Sequence, residues 1–112
     1  SSPDKVKRIL EEFPRLTVLA PHLGGYKAWE ETIEYLAGNE NVWYDTSSAL
    51  WAITPEYANS VISHLGTERL MFGTDYPVKT TGEELERLMR LDISDDRLDD
   101  VLWGNAARFL GL

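Results

Sequence analysis

Apolar positions along this chain follow two rhythms. Val6, Ile9, Leu10 and Phe13 fall at i, i+3, i+4 and i+7, the spacing of one buried helix face. Ser2 stands where an N-cap belongs, Pro3 occupies the first helical position and Pro14 ends the pattern. "LTVLAPH", Leu16 to His22, then reads as a short buried strand broken by Gly24-Gly25. Tyr26, Trp29, Ile33 and Leu36 return to helical spacing, with Gly38 placed for a left-handed C-terminal cap. "NVWYDTS", Asn41 to Ser47, is the second predicted strand. Thr54-Pro55-Glu56 repeats the cap-and-proline signal ahead of Ala58, Val61, Ile62 and Leu65, a stripe closed by Gly66. "RLMFGTDYP", beginning at Arg69, is the third strand. Thr81-Gly82-Glu83-Glu84 has capping-box spacing before Leu85, Leu88 and Met89. Ser94 opens a final helix carrying Leu98, Val101 and Leu102, and "GNAARFLGL" packs off the C-terminus.

A helix followed by three strand-helix units and one extra helix predicts an α/β protein. The near-continuous apolar strands point to a parallel sheet covered by helices. The polar strand ends His22, Asp45 and Asp75 lie 23 and 30 residues apart, and a (β/α)8 barrel of about 250 residues uses roughly 31 per unit. That spacing suits barrel units and a small open sheet alike. Both architectures put function at the carboxyl ends of the strands, where these three residues sit.

Composition narrows the choice of partner. The chain has 112 residues, 43% of them hydrophobic, with four Trp, five Tyr and three Phe, enough for one domain with one modest core. Nineteen acidic against eleven basic residues give a net charge of -8, and the cations are scattered, which disfavours a nucleic-acid or anionic-membrane partner. With no cysteine there is no disulfide framework and no thiolate metal site. No run approaches the roughly 20 apolar residues of a membrane span, and "SSPDKVKRIL" lacks the apolar core of a signal peptide. A soluble, cytoplasmic protein is expected. The start at Ser1, without an initiator Met and almost inside a helix, suggests a segment cut from a longer chain.

The chemistry centres on the strand ends. Asp75 closes an apolar run at the mouth of the predicted sheet, where a carboxylate can bind a divalent cation or take a proton from metal-bound water; Gly73 permits close approach and Pro77 stiffens the turn. The plainer reading is a loop cap or a partner for an arginine. His22, in "APHLGG", is a candidate ligand or general base, set against a hydrogen-bonded structural histidine. Asp45, in "YDTSS", fits a cap of the following loop better than a catalytic group. His64 suits the C-terminal end of its helix and a local role. Asp95, Asp96, Asp99 and Asp100 form a solvated helix face. Nucleophile elbows, phosphate-binding loops and dinucleotide fingerprints are absent from the sequence.

Taken together, "FPRLTVLAPHLGG", "NVWYDTSS", "ERLMFGTDYP" and "LWGNAARFLGL" resemble the C-terminal part of the amidohydrolase-related family of metal-dependent (β/α)8-barrel hydrolases and decarboxylases, which includes aminocarboxymuconate-semialdehyde decarboxylase. The resemblance implies that residues 1–112 form one domain, the last three βα units of a TIM barrel. It implies that Asp75 ends the eighth strand as a metal ligand that helps activate water. It implies that His22 ends the sixth strand and acts beside the metal on water or a small carboxylated substrate. Asp45 receives no role from it.

The family's remaining ligands, a His-x-His pair on the first strand and a histidine on the fifth, have no counterpart here, since His22 and His64 are the only histidines. The expected cofactor is therefore a divalent metal, zinc, bound only with ligands from outside this chain. Three strands should also leave two unpaired sheet edges. The expected partners are a missing N-terminal barrel segment or a second chain, the latter making a homo-oligomer. Two competing readings stand beside this one. One is a non-catalytic α/β module that associates through its edges and through Trp43, Trp51 and Trp103. The other is a small open-sheet protein whose acidic strand ends bind a cation such as magnesium.

Overall fold

A computed structural model describes residues 2–112. The elements follow the predicted order: α1 (Pro3–Glu12), β1 (Val18–Ala20), α2 (Trp29–Leu36), β2 (Val42–Asp45), α3 (Pro55–Leu65), β3 (Leu70–Met71), α4 (Thr81–Met89) and α5 (Asp95–Asp99), then a π-helical turn (Asp100–Gly104) and α6 (Asn105–Leu110). The strands form one parallel sheet in the order β1-β2-β3. Register pairs Val18 with Val42, Ala20 with Tyr44, and Tyr44 with Leu70.

Each strand is shorter than its apolar run. The residues after Ala20, Asp45 and Met71 leave the ladder, so His22 and Asp75 stand on loops beyond the strands instead of ending them. The reason lies in the backbone: His22, Leu23, Ser48 and Asp75 all adopt positive φ, between 51° and 61°, which no strand can accommodate.

Burial on β1 and β2 alternates, contrary to the expectation of a sheet buried on both faces. Val42, Tyr44, Ala20 and Leu70 face the helices and are buried, whereas Leu19 is exposed and Trp43 half-buried on the opposite face. The first set packs with Leu36, Val61, Ile62 and Leu65 of α2 and α3 in the core. Burying each such aliphatic side chain contributes about 1.5–3 kcal/mol. On the other face Trp43 meets the Phe109 ring edge-on at 5.3 Å and the Arg108 guanidinium at 5.3 Å.

The two sheet edges differ, which corrects the expectation that both are unpaired. The C-terminal segment covers the β3 edge. Phe72 N–H donates to Val101 O at 2.9 Å, and the buried Asn105 donates through Nδ2 to Leu70 O at 2.8 Å and to Thr67 O at 2.7 Å. The motif "WGNAARF" thus uses a side-chain amide to close backbone acceptors that a further strand would otherwise satisfy. Among the described residues the outer edge of β1 carries no comparable cover, and Leu19, Leu16 and Phe13 are exposed beside it.

Helix ends depart from the sequence reading in detail. Thr54 caps α3 through Tyr57 N–H as expected, but α4 is capped by Thr80, through Glu83 N–H, and not by Thr81. Ser2 and Ser94 occupy N-cap positions without a side-chain cap bond. Of the expected α4 stripe only Leu88 is buried; Leu85 and Met89 are exposed. Glu84 is buried instead, bound to Arg87 at 2.7 Å, and burial raises its carboxyl above the ordinary range against the opposing pull of Arg87.

Candidate functional site

Three loops meet at the carboxyl end of the sheet, one after each strand. The β1 loop turns sharply after Pro21, and Gly24 completes it at φ 96°. A Cβ there would collide with Thr32 Cγ2 on α2, so the loop lies flat on the helix only because Gly24 has no side chain. The turn is fixed to the β2 end by Leu23 N–H donating to Asp45 O at 2.7 Å and by Trp29 Nε1–H donating to His22 O at 2.8 Å.

Asp45 performs the capping role expected of it, across two loops. Its Oδ1 accepts His22 N–H at 3.1 Å, Ser47 N–H at 2.9 Å and the Ser47 hydroxyl. His22 Nδ1 in turn lies 2.7 Å from Ser47 O and 3.1 Å from Ser47 Oγ. The half-buried imidazole is therefore hydrogen-bonded, as the structural reading of this residue supposed, with its Nδ1 edge committed. Nε2 takes no protein hydrogen bond among the described residues.

The next residue reaches the third loop. Ser48, at φ 51°, donates through Oγ to Asp75 Oδ2 at 2.6 Å. Asp75, itself exposed and at φ 57°, carries no ion pair to an arginine among the described residues. Two residues before Ser48 in the β2 loop, Thr46 Oγ1 donates to Gly73 O at 3.0 Å and accepts Gly73 N–H at 3.0 Å, stapling the β2 and β3 ends. A Cβ at Gly73 would stand in ordinary van der Waals contact with Ser47 Cβ and Asp45 Cγ.

His22 and Asp75 thus belong to one mouth, joined through the consecutive residues Ser47 and Ser48. Left-handed conformations at His22, Ser48 and Asp75 cost free energy and persist only where surrounding contacts hold them, a pattern that clusters at functional sites. The sequence reading passed over Thr46, Ser47 and Ser48 as the hydrogen-bonding residues that tie the three loops together. The hydroxyl run after Asp45 was the available signal, since such side chains bond locally at strand ends.

His64 lies away from this mouth, with Nδ1 on Ser60 O at 2.8 Å, a local role as expected. Aromatic rings flank the His22 side. Tyr26 meets His22 edge-on at 6.3 Å and Trp51 at 6.3 Å, and Lys79 Nζ sits 5.5 Å from the Trp51 ring centre. Trp51 and Trp43 are engaged within the chain, leaving Trp103 as the exposed tryptophan of the three proposed for an interface.

The residues of this chain do not by themselves fit a catalytic metal centre. Among the described residues no three His, Asp, Glu or Cys side chains converge, whereas catalytic zinc takes three protein ligands. Asp75 offers one carboxylate and His22 one imidazole nitrogen.

The sequence profile of the amidohydrolase family matches residues 1–112, and the chain belongs to that family. The decarboxylase orsB of Emericella nidulans is 23% identical over 124 aligned positions, which span 91% of this chain and 36% of that protein. An uncharacterized TIM-barrel protein from Bordetella bronchiseptica is 26% identical, with a TM-score of 0.74 over 97% of this chain and 39% of its own. An amidohydrolase from Burkholderia multivorans, solved with bound zinc, is 19% identical, with a TM-score of 0.78 over 98% of this chain and 49% of its own. The three parallel βα units are accordingly a partial TIM barrel, and the chain spans between a third and a half of the length of these relatives.

No helix among the described residues is long and apolar enough to cross a membrane.

Proposed function

We propose that this chain supplies the last three βα units, and one side of the active-site mouth, of a metal-dependent hydrolase or decarboxylase. The observation that carries the reading is the convergence of His22 and Asp75 from the loops on either side of the β2 loop, whose Ser47 and Ser48 bridge them. Asp75 contributes one carboxylate to a divalent metal, zinc, whose other ligands come from a preceding barrel segment or a second chain. When bound, such an ion supplies Lewis-acid polarisation and an acidified water. His22 holds or accepts a proton beside it. A decarboxylase among the relatives supports carbon–carbon cleavage of a small carboxylated substrate, the zinc-bound amidohydrolase supports hydrolysis, and Lys79 beside Trp51 offers a cation for a substrate carboxylate.

The test is substitution in the intact protein. Asp75→Asn should lower both bound metal and kcat/KM, and His22→Asn should lower kcat/KM by about 10²–10⁴-fold while metal content is retained. Full activity in either variant removes that residue from the mechanism.

A second reading, association without catalysis, is favoured by one feature: the uncovered β1 edge beside exposed Leu19, Leu16 and Phe13. A stable homo-oligomer free of metal and of activity in the intact protein would establish it.

A further inference from the structure

Ser47 O is a backbone carbonyl and can only accept, so the 2.7 Å contact requires that His22 Nδ1 carry the hydrogen. Ser47 Oγ lies 3.1 Å from the same nitrogen and spends its own hydrogen on Asp45 Oδ1. The hydroxyl can therefore receive the Nδ1 hydrogen but cannot donate one back. Nδ1–H, Ser47 Oγ–H and the Asp45 carboxylate form a one-directional chain of donors ending on a negative charge.

The network is enclosed and over-determined. Ser47 is buried and Asp45 half-buried. Asp45 Oδ1 is held by the backbone N–H groups of both His22 and Ser47, so the carboxylate and the imidazole cannot drift apart without breaking two further bonds. Trp29 fixes the His22 carbonyl, which holds the left-handed turn from which the ring projects.

We propose that Ser47 and Asp45 are positioning residues that lock His22 in the Nδ1–H tautomer, so that Nε2 presents its lone pair to the mouth of the sheet. This inference rests on the proposed acid–base role of His22 and specifies the atom that performs it. When Nε2 takes a proton from water or substrate, its lone pair becomes the new N–H bond and the electron pair of the broken bond stays on the donor. The imidazolium keeps its Nδ1–H on Ser47, and the Asp45 carboxylate, one hydroxyl away, faces the new positive charge. No proton passes to Asp45. The Nδ1–H form is the less favoured tautomer of a free histidine, so the site must impose it.

The direct test is long-range ¹H–¹⁵N correlation spectroscopy of the imidazole in the intact protein, at alkaline pH where the ring is neutral. The expected spectrum shows a protonated, pyrrole-type Nδ1 and an unprotonated, pyridine-type Nε2 for His22. A protonated Nε2, or a mixture of tautomers, overturns the proposal even if His22→Asn is inactive; an active His22→Asn would instead overturn the functional reading on which it rests. In kinetics, Asp45→Asn keeps an acceptor oxygen but removes the charge, and kcat should fall about 10–100-fold with KM little changed. Ser47→Ala keeps the backbone carbonyl that receives Nδ1–H, so its spectrum should still show the Nδ1–H form, while losing the hydroxyl between the ring and Asp45. A loss of the Nδ1–H form in Ser47→Ala, or a loss in Asp45→Asn confined to KM, would also sink it. The spectrum of the unsubstituted protein decides the question if a variant does not fold.

Discussion

Ser48 Oγ donates to Asp75 Oδ2 at 2.6 Å, joining the loops that follow the paired strands β2 and β3. Both residues sit in left-handed backbone conformations, so the bond joins two turns that are each strained on their own. A short hydroxyl-to-carboxylate bond fixes one oxygen of Asp75 and thereby the direction of the other. Ser48→Ala should leave the helical circular dichroism of the intact protein unchanged while lowering metal affinity or activity about 10–100-fold. Unchanged metal affinity and activity would show that Asp75 is oriented by other contacts.

Asn105 closes the β3 edge with two bonds to backbone carbonyls, and Arg108 donates to its Oδ1 at 2.7 Å. Asn105→Ala leaves the buried Leu70 carbonyl without its partner, while Thr67 O, half-buried, keeps only the longer bond from Leu70 N–H at 3.5 Å. The expected loss, at about 1–3 kcal/mol for each unsatisfied group, should appear as a lower urea midpoint. Asn105→Asp should be no better, because it replaces the donor amide with an acceptor. A variant as stable as the parent would mean that the helix does not seal this edge.

Gly24→Ala combines a left-handed φ of 96° with a collision against Thr32 Cγ2. The expected cost exceeds about 2 kcal/mol. Adding Thr32→Ser removes the colliding methyl group and should recover part of the loss, but not the backbone component. Identical thermal midpoints for the single and double variants would refute steric conflict as the cause.

Tyr44 is fully buried, with its hydroxyl 3.3 Å from Leu36 O, and burial pushes its pKa up to about 12 from an ordinary 10.0. The folded protein therefore binds this proton more tightly than the unfolded chain does. The resulting stability is complete below about pH 10 and is lost as pH rises toward 12, by about 1.4 kcal/mol per unit. Tyr44→Phe should be less stable at neutral pH by about 0.5–1.5 kcal/mol yet unfold at a higher alkaline pH than the parent. An unchanged alkaline midpoint would assign that transition to other groups.

Much of the local structure was written in the order of residues. Pro3, Pro14, Thr54-Pro55 and Gly66 punctuate the helices where they were expected to, because caps and breakers act on their immediate neighbours. The three apolar runs became three parallel strands, since aliphatic segments separated by amphipathic helices bury their surface in a helix-covered parallel sheet. The resemblance to the amidohydrolase family also needed only the sequence, and the match extends over residues 1–112.

Tertiary structure decided where the strands stop and what holds the site. Leu16 to His22 looked like one strand, but the bond from Leu23 N–H to Asp45 O draws the chain out of the ladder after Ala20. The half-covered sheet and the Asn105 seal were hidden because hydrophobicity shows that a residue is buried without showing against what. The same limit hid Ser47 and Ser48. Two small hydroxyls carry little periodic signal, and their meaning comes from facing His22 on one side and Asp75 on the other, groups that lie 25 and 27 residues away along the chain and meet only when parallel strands align their carboxyl ends.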